Sequence, residues 1–478
     1  MSFVASVSVA LVVAISGFGP AACYRAAVAE PASTEPLPLE VMPAEAKPAE
    51  PKTTPPAETG PRRRTPKPNL ETSPKPAAKP AATDAITEDE KAAVIRRTEQ
   101  LIRGRAFAST ADFSQWDDKL EKYQARLDRA ETKSSFSRVL NSLVNEFGIS
   151  HLDIMSPETN ARRAETSMVG VGVRHNVTSN IVPDEGMVID MIIPGGPAEK
   201  AGLKDGDAII EVNGQKIRNP SELRGEDGSV LVLTVKRGET GASEQVTVTR
   251  GKFSRRDPEM FTKIGADAAV LRLPTFDDAY NRVRLEEFFK QAKDIPYLVI
   301  DLRNNGGGST RNLRHFLGML LPRGTEFGTS IDKRAADEYR QETGEDPSDI
   351  VKVAAWRRLK WSVQSNAVAP YKGKLAVLIN GGSASASEIA AAALREVREP
   401  SAIVVGTPTR GAVLVANEVA LPDGFKMMVP VSEYVTIKGH RLEGNPLQPD
   451  HRVMGQQSNR PAQDKAVIEA LERLQNLE

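Results

Sequence analysis

Gly373 to Arg395, GKLAVLINGGSASASEIAAAALR, constrains the fold of this chain more than any other stretch. Lys374 to Ile379 is a short apolar run, β-branched in part, bounded by Gly373 and by Asn380-Gly381-Gly382, and it reads as a strand buried on both faces. Three serines at alternate positions follow, Ser383, Ser385 and Ser387, then Glu388 and an alanine-rich helix. A strand that breaks at glycines and turns into a helix start leaves backbone N–H groups unpaired and aimed at whatever lies there, which is the making of an oxyanion hole. A serine on such a turn can act as a nucleophile if another part of the chain supplies a base. The alternative is that the serines only cap the helix while small residues bring it close to the sheet.

A second glycine-rich turn has the same character. Ala266 to Leu273 reads as a strand, 277 to 293 as a helix, and Tyr297 to Leu302 as a buried strand ending in Arg303-Asn304-Asn305-Gly306-Gly307-Gly308-Ser309. Triple glycine at the carboxyl end of a parallel strand is where an α/β sheet opens toward a ligand. Phosphate binding is the rival use, but neither G-x-G-x-x-G nor a P-loop lysine is present.

At 478 residues the chain is long enough for two or three domains, and 63 basic against 63 acidic residues leave no net charge to draw it to nucleic acid. Cys23 is the only cysteine, so stability must come from packing. Phe3 to Ile15 is apolar but too short to span a bilayer comfortably, and Ala27-Val28-Ala29 follows as a cleavage pattern, so 1–29 is expected to be an export signal or, with no Lys or Arg ahead of the apolar run, an anchor. Residues 30–84 are mostly Pro, Ala, Lys, Glu and Thr and are expected to form a disordered or partly polyproline tether.

Trp116, Leu120, Tyr123 and Leu127 recur at helical spacing, as do Phe136, Leu140, Leu143 and Phe147, and Gly148 ends the second series. Ser150-His151 comes directly afterwards on a loop. From residue 168 to 253 the runs become short and β-like: Val169-Gly170-Val171-Gly172-Val173, then Met187 to Ile193, then PGGPAEKAGLKDGDAIIEVNGQKI from Pro194 to Ile217, then RGEDGSVLVLTVKRG from Arg224 to Gly238. This order resembles a PDZ domain of the bacterial protease type. The resemblance implies that an extended peptide adds a strand there and that amides near Val169 to Val173 capture its carboxylate.

Together, DLRNNGGGS, LINGGSASASEIAAAAL, VVGTPTRG and LEGNPLQPD resemble the tail-specific or carboxyl-terminal processing serine protease family over roughly residues 87 to 455. The resemblance implies that Ser385 is the nucleophile and that the amides of Ala386 and Gly307 form the oxyanion hole. One departure stands out. Members of the Ser-Lys type carry a lysine after the T-x-G and a glutamine four residues on, where this chain has Ala412 and Ala416. The tricorn protease core, a second branch, takes its base from a Ser-His pair ahead of the PDZ domain, steered through that serine by a glutamate before the closing P-D. Ser150-His151 and Glu443 stand in those places, and His440 is a rival base.

The expectation is therefore a multidomain α/β protein: a helical N-terminal subdomain with the Ser-His pair at 85–165, a mainly-β PDZ domain at 166–253, and at 254–478 an α/β protease core with a mixed, largely parallel sheet. The reading implies an exported, periplasmic or cell-envelope endopeptidase acting on unfolded or C-terminally exposed proteins, without metal or cofactor, tethered to a membrane where the N-terminus serves as anchor. Because the lysine is missing, a catalytically silent PDZ scaffold is the competing reading.

Overall fold

The computed structural model describes residues 84–175, 182–238, 241–455, 457–458 and 460–477. The export signal or anchor at 1–29 and the tether at 30–84 lie outside the described residues, apart from Asp84, whose carbonyl accepts the Lys133 N–H at 2.7 Å. No helix among the described residues is long and apolar enough to cross a membrane.

Three helices open the described chain, Glu88–Arg105, Trp116–Asp128 and Lys133–Val144. Thr87 and Glu90 form a capping box on the first, and Thr132 caps the third, so orphan amides at both starts are satisfied by side chains. The apolar stripes buried by this spacing (Val94, Leu101 and Ile102; Trp116, Tyr123 and Leu127; Phe136, Leu140 and Leu143) face one another. They do not close a core by themselves. Leu421, Phe425, Met427 and Val429, about 280 residues later, complete it, with Phe425 edge-on to Phe136 at 6.0 Å. The third helix ends at Val144, and a single 3-10 turn, Asn145–Phe147, carries the chain to Gly148, where a φ of 68° reverses it.

In the PDZ region Val173–His175, Met187–Ile192, Ala208–Val212, Val230–Lys236 and Ser243–Thr249 form an antiparallel sheet around its own core, with the short helix Pro197–Lys200 beside it. The strand expected over Val169 to Val173 is broken in two. Ser167–Gly170 pairs with Gly251–Ser254, and a new strand starts at Val173. Gly172 makes the break, with φ 80° and its Cα so close to Pro197 that a Cβ would sit 3.2 Å from the ring. The carbonyls of Val171 and Gly172 are taken by the amides of Ala198 and Ile193.

The α/β core is a six-stranded sheet in the order Met260–Ile264, Ala268–Arg272, Tyr297–Asp301, Lys374–Ile379, Ala402–Gly406 and His451–Arg452. Only the first pair is antiparallel. Leu375, Val377 and Ile379 face one core, shared with the helices Arg282–Ala292, Thr310–Gly318 and Ala386–Val397, whereas Ala376 and Leu378 face a second, closed by Lys465–Gln475. Burial of alternate residues on opposite faces explains the unbroken apolar run. The helix expected at 277 begins only at Arg282, because the Asn281 side chain caps it by accepting the Arg284 amide, and the preceding turn is tied instead to the triple-glycine loop. A second, antiparallel sheet is built on the long strand Lys426–Thr436, flanked by Asp153–Met155, Glu326–Asp332 and Leu414–Ala420.

Phe425→Ala should cost about 3–5 kcal/mol, the usual loss for a buried aromatic ring. Urea unfolding followed by tryptophan fluorescence measures it, and a loss under about 1 kcal/mol would show that the helices hold together without this residue.

Candidate active site

The three alternate serines have different work. Ser383 donates to the Leu302 carbonyl at 2.8 Å and accepts the Asn380 amide at 3.0 Å, and Ser387 donates to the Asn305 carbonyl at 2.8 Å; both are fully buried. Their hydroxyls stitch the turn to the end of strand Tyr297–Asp301. Ser385, half-buried between them, stands at the start of helix Ala386–Val397 with φ 57° and ψ −120°, a conformation that costs a non-glycine residue roughly 1–3 kcal/mol. Its amide is held by the Ala412 carbonyl at 2.8 Å and by Glu388 at 3.0 Å.

Glu388 is the residue that the sequence reading passed over. Its buried carboxylate accepts from Thr409 Oγ1 at 2.5 Å, from the amides of Gly411 at 2.8 Å and Ala412 at 3.0 Å, and from Ser385. Burial pushes this carboxyl above the usual range while those four donors pull it back. Spacing Ser385-x-x-Glu388 is a capping-box pattern and could have been found as one. Here the box does more than cap, since it fixes the loop from Thr409 to Ala412 against the turn that carries Ser385.

The triple-glycine loop reaches the same point. A Cβ on Gly307, which has φ 95°, would lie 2.7 Å from Ser385 Cβ and 3.0 Å from the Ala386 nitrogen, so the loop backbone abuts the serine. One expectation needs correction. The Gly307 N–H is not open to an oxyanion, because it donates to Asn305 Oδ1 at 2.9 Å, and Asn305 is fixed in turn by its own bond to the Leu273 carbonyl at 2.8 Å. The Ala386 N–H, in the first turn of its helix, has no acceptor among the described residues.

On the other side, Gly148 delivers a loop on which His151 also has a positive φ, 57°. Ser150 donates its amide to Glu443 Oε1 at 2.9 Å and its hydroxyl to Oε2 at 2.8 Å, and Ser150 Oγ lies 2.7 Å from His151 Nδ1. With the Ser150 proton given to the carboxylate, its oxygen accepts from Nδ1–H, which leaves the lone pair on Nε2. Burial lowers the His151 pKa; the Glu443 charge opposes this and the Arg410 charge adds to it, so the imidazole stays neutral to lower pH than an ordinary histidine does. Glu443 also accepts the Val413 amide at 2.7 Å. The adjacent residues Ala412 and Val413 therefore bond to the Ser385 side and to the His151 side respectively, bringing Ser150, His151, Ser385, Ala386, Gly307 and Glu443 into one cluster.

His440 is elsewhere. Its Nδ1 lies 2.8 Å from Glu396 Oε1. Glu396 stands near the far end of the helix that starts after Ser385, about 16 Å away at 1.5 Å per residue, so His440 has no reach to the serine. In the PDZ region, Gly170, Val171, Gly172 and Val173 line a groove of about 220 Å³ together with Pro220, Leu223, Arg224 and Phe253, while Val169 lies in the adjoining strand pair.

Residues 267–453 match peptidase family S41. Residues 188–237 match the PDZ domain. The carboxyl-terminal-processing protease of Picosynechococcus sp. is 30% identical over 295 residues, covering 59% of this chain and 64% of that protein. Carboxyl-terminal-processing peptidase 1, chloroplastic, of Arabidopsis thaliana is 25% identical over 382 residues, covering 78% and 72%. The chain thus spans a little under two thirds of the first relative's length. The tricorn protease crystal structure is similar in fold, with TM-score 0.52 and 14% identity over 81% of this chain and 37% of that one. In the Thr409-Arg410-Gly411 loop Glu388 binds Thr409 Oγ1 and the Gly411 amide, the Ser383 carbonyl takes the Arg410 amide, and Ala412 follows with no side-chain amine to offer.

Gly307→Ala should push the loop backbone off Ser385 and lower labelling of that serine by a fluorophosphonate about 10²-fold, the scale of loss for an ångström of misplacement. Labelling at the parental rate would show that residue 307 does not crowd the nucleophile.

Proposed function

We propose that the chain is a serine endopeptidase of the carboxyl-terminal processing type, with Ser385 as nucleophile and His151 as base. The observation that carries the reading is the continuous hydrogen-bonded series Glu443, Ser150, His151, which leaves the lone pair on Nε2 and is tied through Val413 to the loop whose Ala412 carbonyl holds the Ser385 amide. In this mechanism Nε2 takes the Ser385 proton as Oγ attacks the peptide carbonyl, and the Ala386 amide receives the developing oxyanion. His151 then gives that proton to the departing amine, leaving an acyl-serine. Water attacks the ester, its proton passing to Nε2, and the carboxylate product leaves as Ser385 recovers its hydrogen. Ser150 and Glu443 hold the ring in the productive tautomer and stabilise the imidazolium.

The absent lysine favours the second reading, a silent scaffold that only binds chain ends, and the histidine series is what speaks against it. On the protease reading, residues 85–165 supply the base, 166–253 form the peptide-binding domain and 254–478 the core. The PDZ groove takes the end of an unfolded or C-terminally exposed substrate, and the protein works outside the cytoplasm, on a membrane tether where 1–29 is retained.

An unfolded protein such as reduced casein tests the proposal. Ser385→Ala and His151→Ala should each lower turnover by comparable factors, at least about 10² to 10⁴ for loss of the base, and the double variant should be scarcely worse than either. Glu443→Gln should lose less, being one step removed. Parental activity should fall on acidification with a midpoint below that of an ordinary histidine, since burial holds the His151 pKa down and only the neutral ring accepts the proton. Full activity in a folded His151→Ala protein would remove the mechanism, and equal inertness of parent and Ser385→Ala would favour the scaffold.

A further inference from the structure

We propose that Arg410 is a specificity-determining residue that binds a substrate carboxylate next to the scissile bond; the proposal rests on the protease reading. Arg410 lies in the loop fixed by Glu388, between Thr409 and Gly411, and its own amide donates to the Ser383 carbonyl at 3.0 Å. Its backbone is thereby clamped beside the nucleophile turn. Its side chain is exposed and makes no ion pair or hydrogen bond with any described residue. By contrast Arg303 and Arg441, elsewhere in the core, are paired with carboxylates.

This placement has a chemical cost. The charged groups acting on His151 are Glu443, which binds Ser150, and Arg410, while Glu388 is bound by the Ala412 amide. A guanidinium there opposes formation of the imidazolium on which acyl transfer depends. The opposition ends when a carboxylate neutralises it, and the guanidinium fork is shaped for a bidentate pair with that group. A substrate bearing the carboxylate thus gains twice, once in binding and once because His151 becomes a better proton acceptor. Selectivity should accordingly appear in kcat as well as in KM. The carboxylate is either an Asp or Glu side chain flanking the cleaved bond or the α-carboxylate of a chain ending shortly after it.

Three internally quenched peptides of one parent sequence distinguish these sources: neutral with an amidated end, neutral with a free carboxyl end, and amidated with Glu beside the scissile bond. The full-length protein should prefer one carboxylate-bearing peptide over the neutral one by at least about tenfold in kcat/KM, as expected of a charge-assisted pair. In Arg410→Ala the ratio should collapse toward one, and Arg410→Lys should restore part of it. The acid limb of the rate for the neutral peptide should also move to higher pH in Arg410→Ala, because a positive neighbour of His151 has gone, a change that a purely structural loop residue would not produce. Arg410→Ala retaining the parental ratio overturns the proposal. If the parent cleaves none of the three, the protease reading has failed, and fluorescence anisotropy in the Ser385→Ala background then decides on Arg410: tighter binding of a carboxylate peptide that disappears on adding Arg410→Ala supports it, and equal binding refutes it.

Discussion

The carboxylate of Glu443 is buried, and a buried charge is tolerated only when its oxygens are paired. Its partners are the amide and hydroxyl of Ser150 and the amide of Val413. Those three donors come from segments far apart in the chain: a loop after the helical bundle, and a loop leaving the parallel sheet. The segment carrying Glu443 is itself laid onto the second of these, with the Gly444 amide on the Gly411 carbonyl at 2.8 Å and the Leu447 amide on Thr409 Oγ1 at 2.7 Å. Satisfying one charge therefore sets the position of the histidine relative to the serine.

Glu388 and Glu443 are both buried carboxylates with several donors, yet they act on different things. Glu388 faces backbone amides and a threonine, so its energy goes into holding a loop and a strained serine in place. Glu443 faces a hydroxyl that touches an imidazole, so its charge reaches a group that titrates. Between the two runs the five-residue loop Thr409 to Val413, anchored at both ends.

Much of this was legible locally. The run Lys374 to Ile379 is apolar throughout because alternate residues enter different cores, and the glycines beside it and at 306–308 mark where backbones approach closely. Ser150, His151 and Glu443 were found by place in the chain, and the structure joins them by hydrogen bonds. What stayed hidden depended on distant partners. Nothing in S-A-S-A-S says that Ser383 and Ser387 are consumed by the carbonyls of Leu302 and Asn305, or that Asn305 takes the Gly307 amide. The helical stripes showed what would be buried but not that Leu421 to Val429 would cover them. The strand at Val169 to Val173 was misjudged because valine favours a strand while Gly172, pressed on Pro197, ends one.

The order of parts along the chain has a temporal consequence. Ser150 and Glu443 are 293 residues apart, and Glu443 stands close to the end of the core. Domains generally fold as they emerge from the ribosome, N-terminal parts first. The histidine loop, the PDZ region and the serine turn are all synthesised before the carboxylate that binds Ser150, and before Phe425 and Met427, which close the core beneath the helices. A nascent chain, or a fragment truncated ahead of residue 443, thus carries Ser385 and His151 without the carboxylate that binds Ser150. On the protease reading, the catalytic series is therefore complete only once Glu443 has been made.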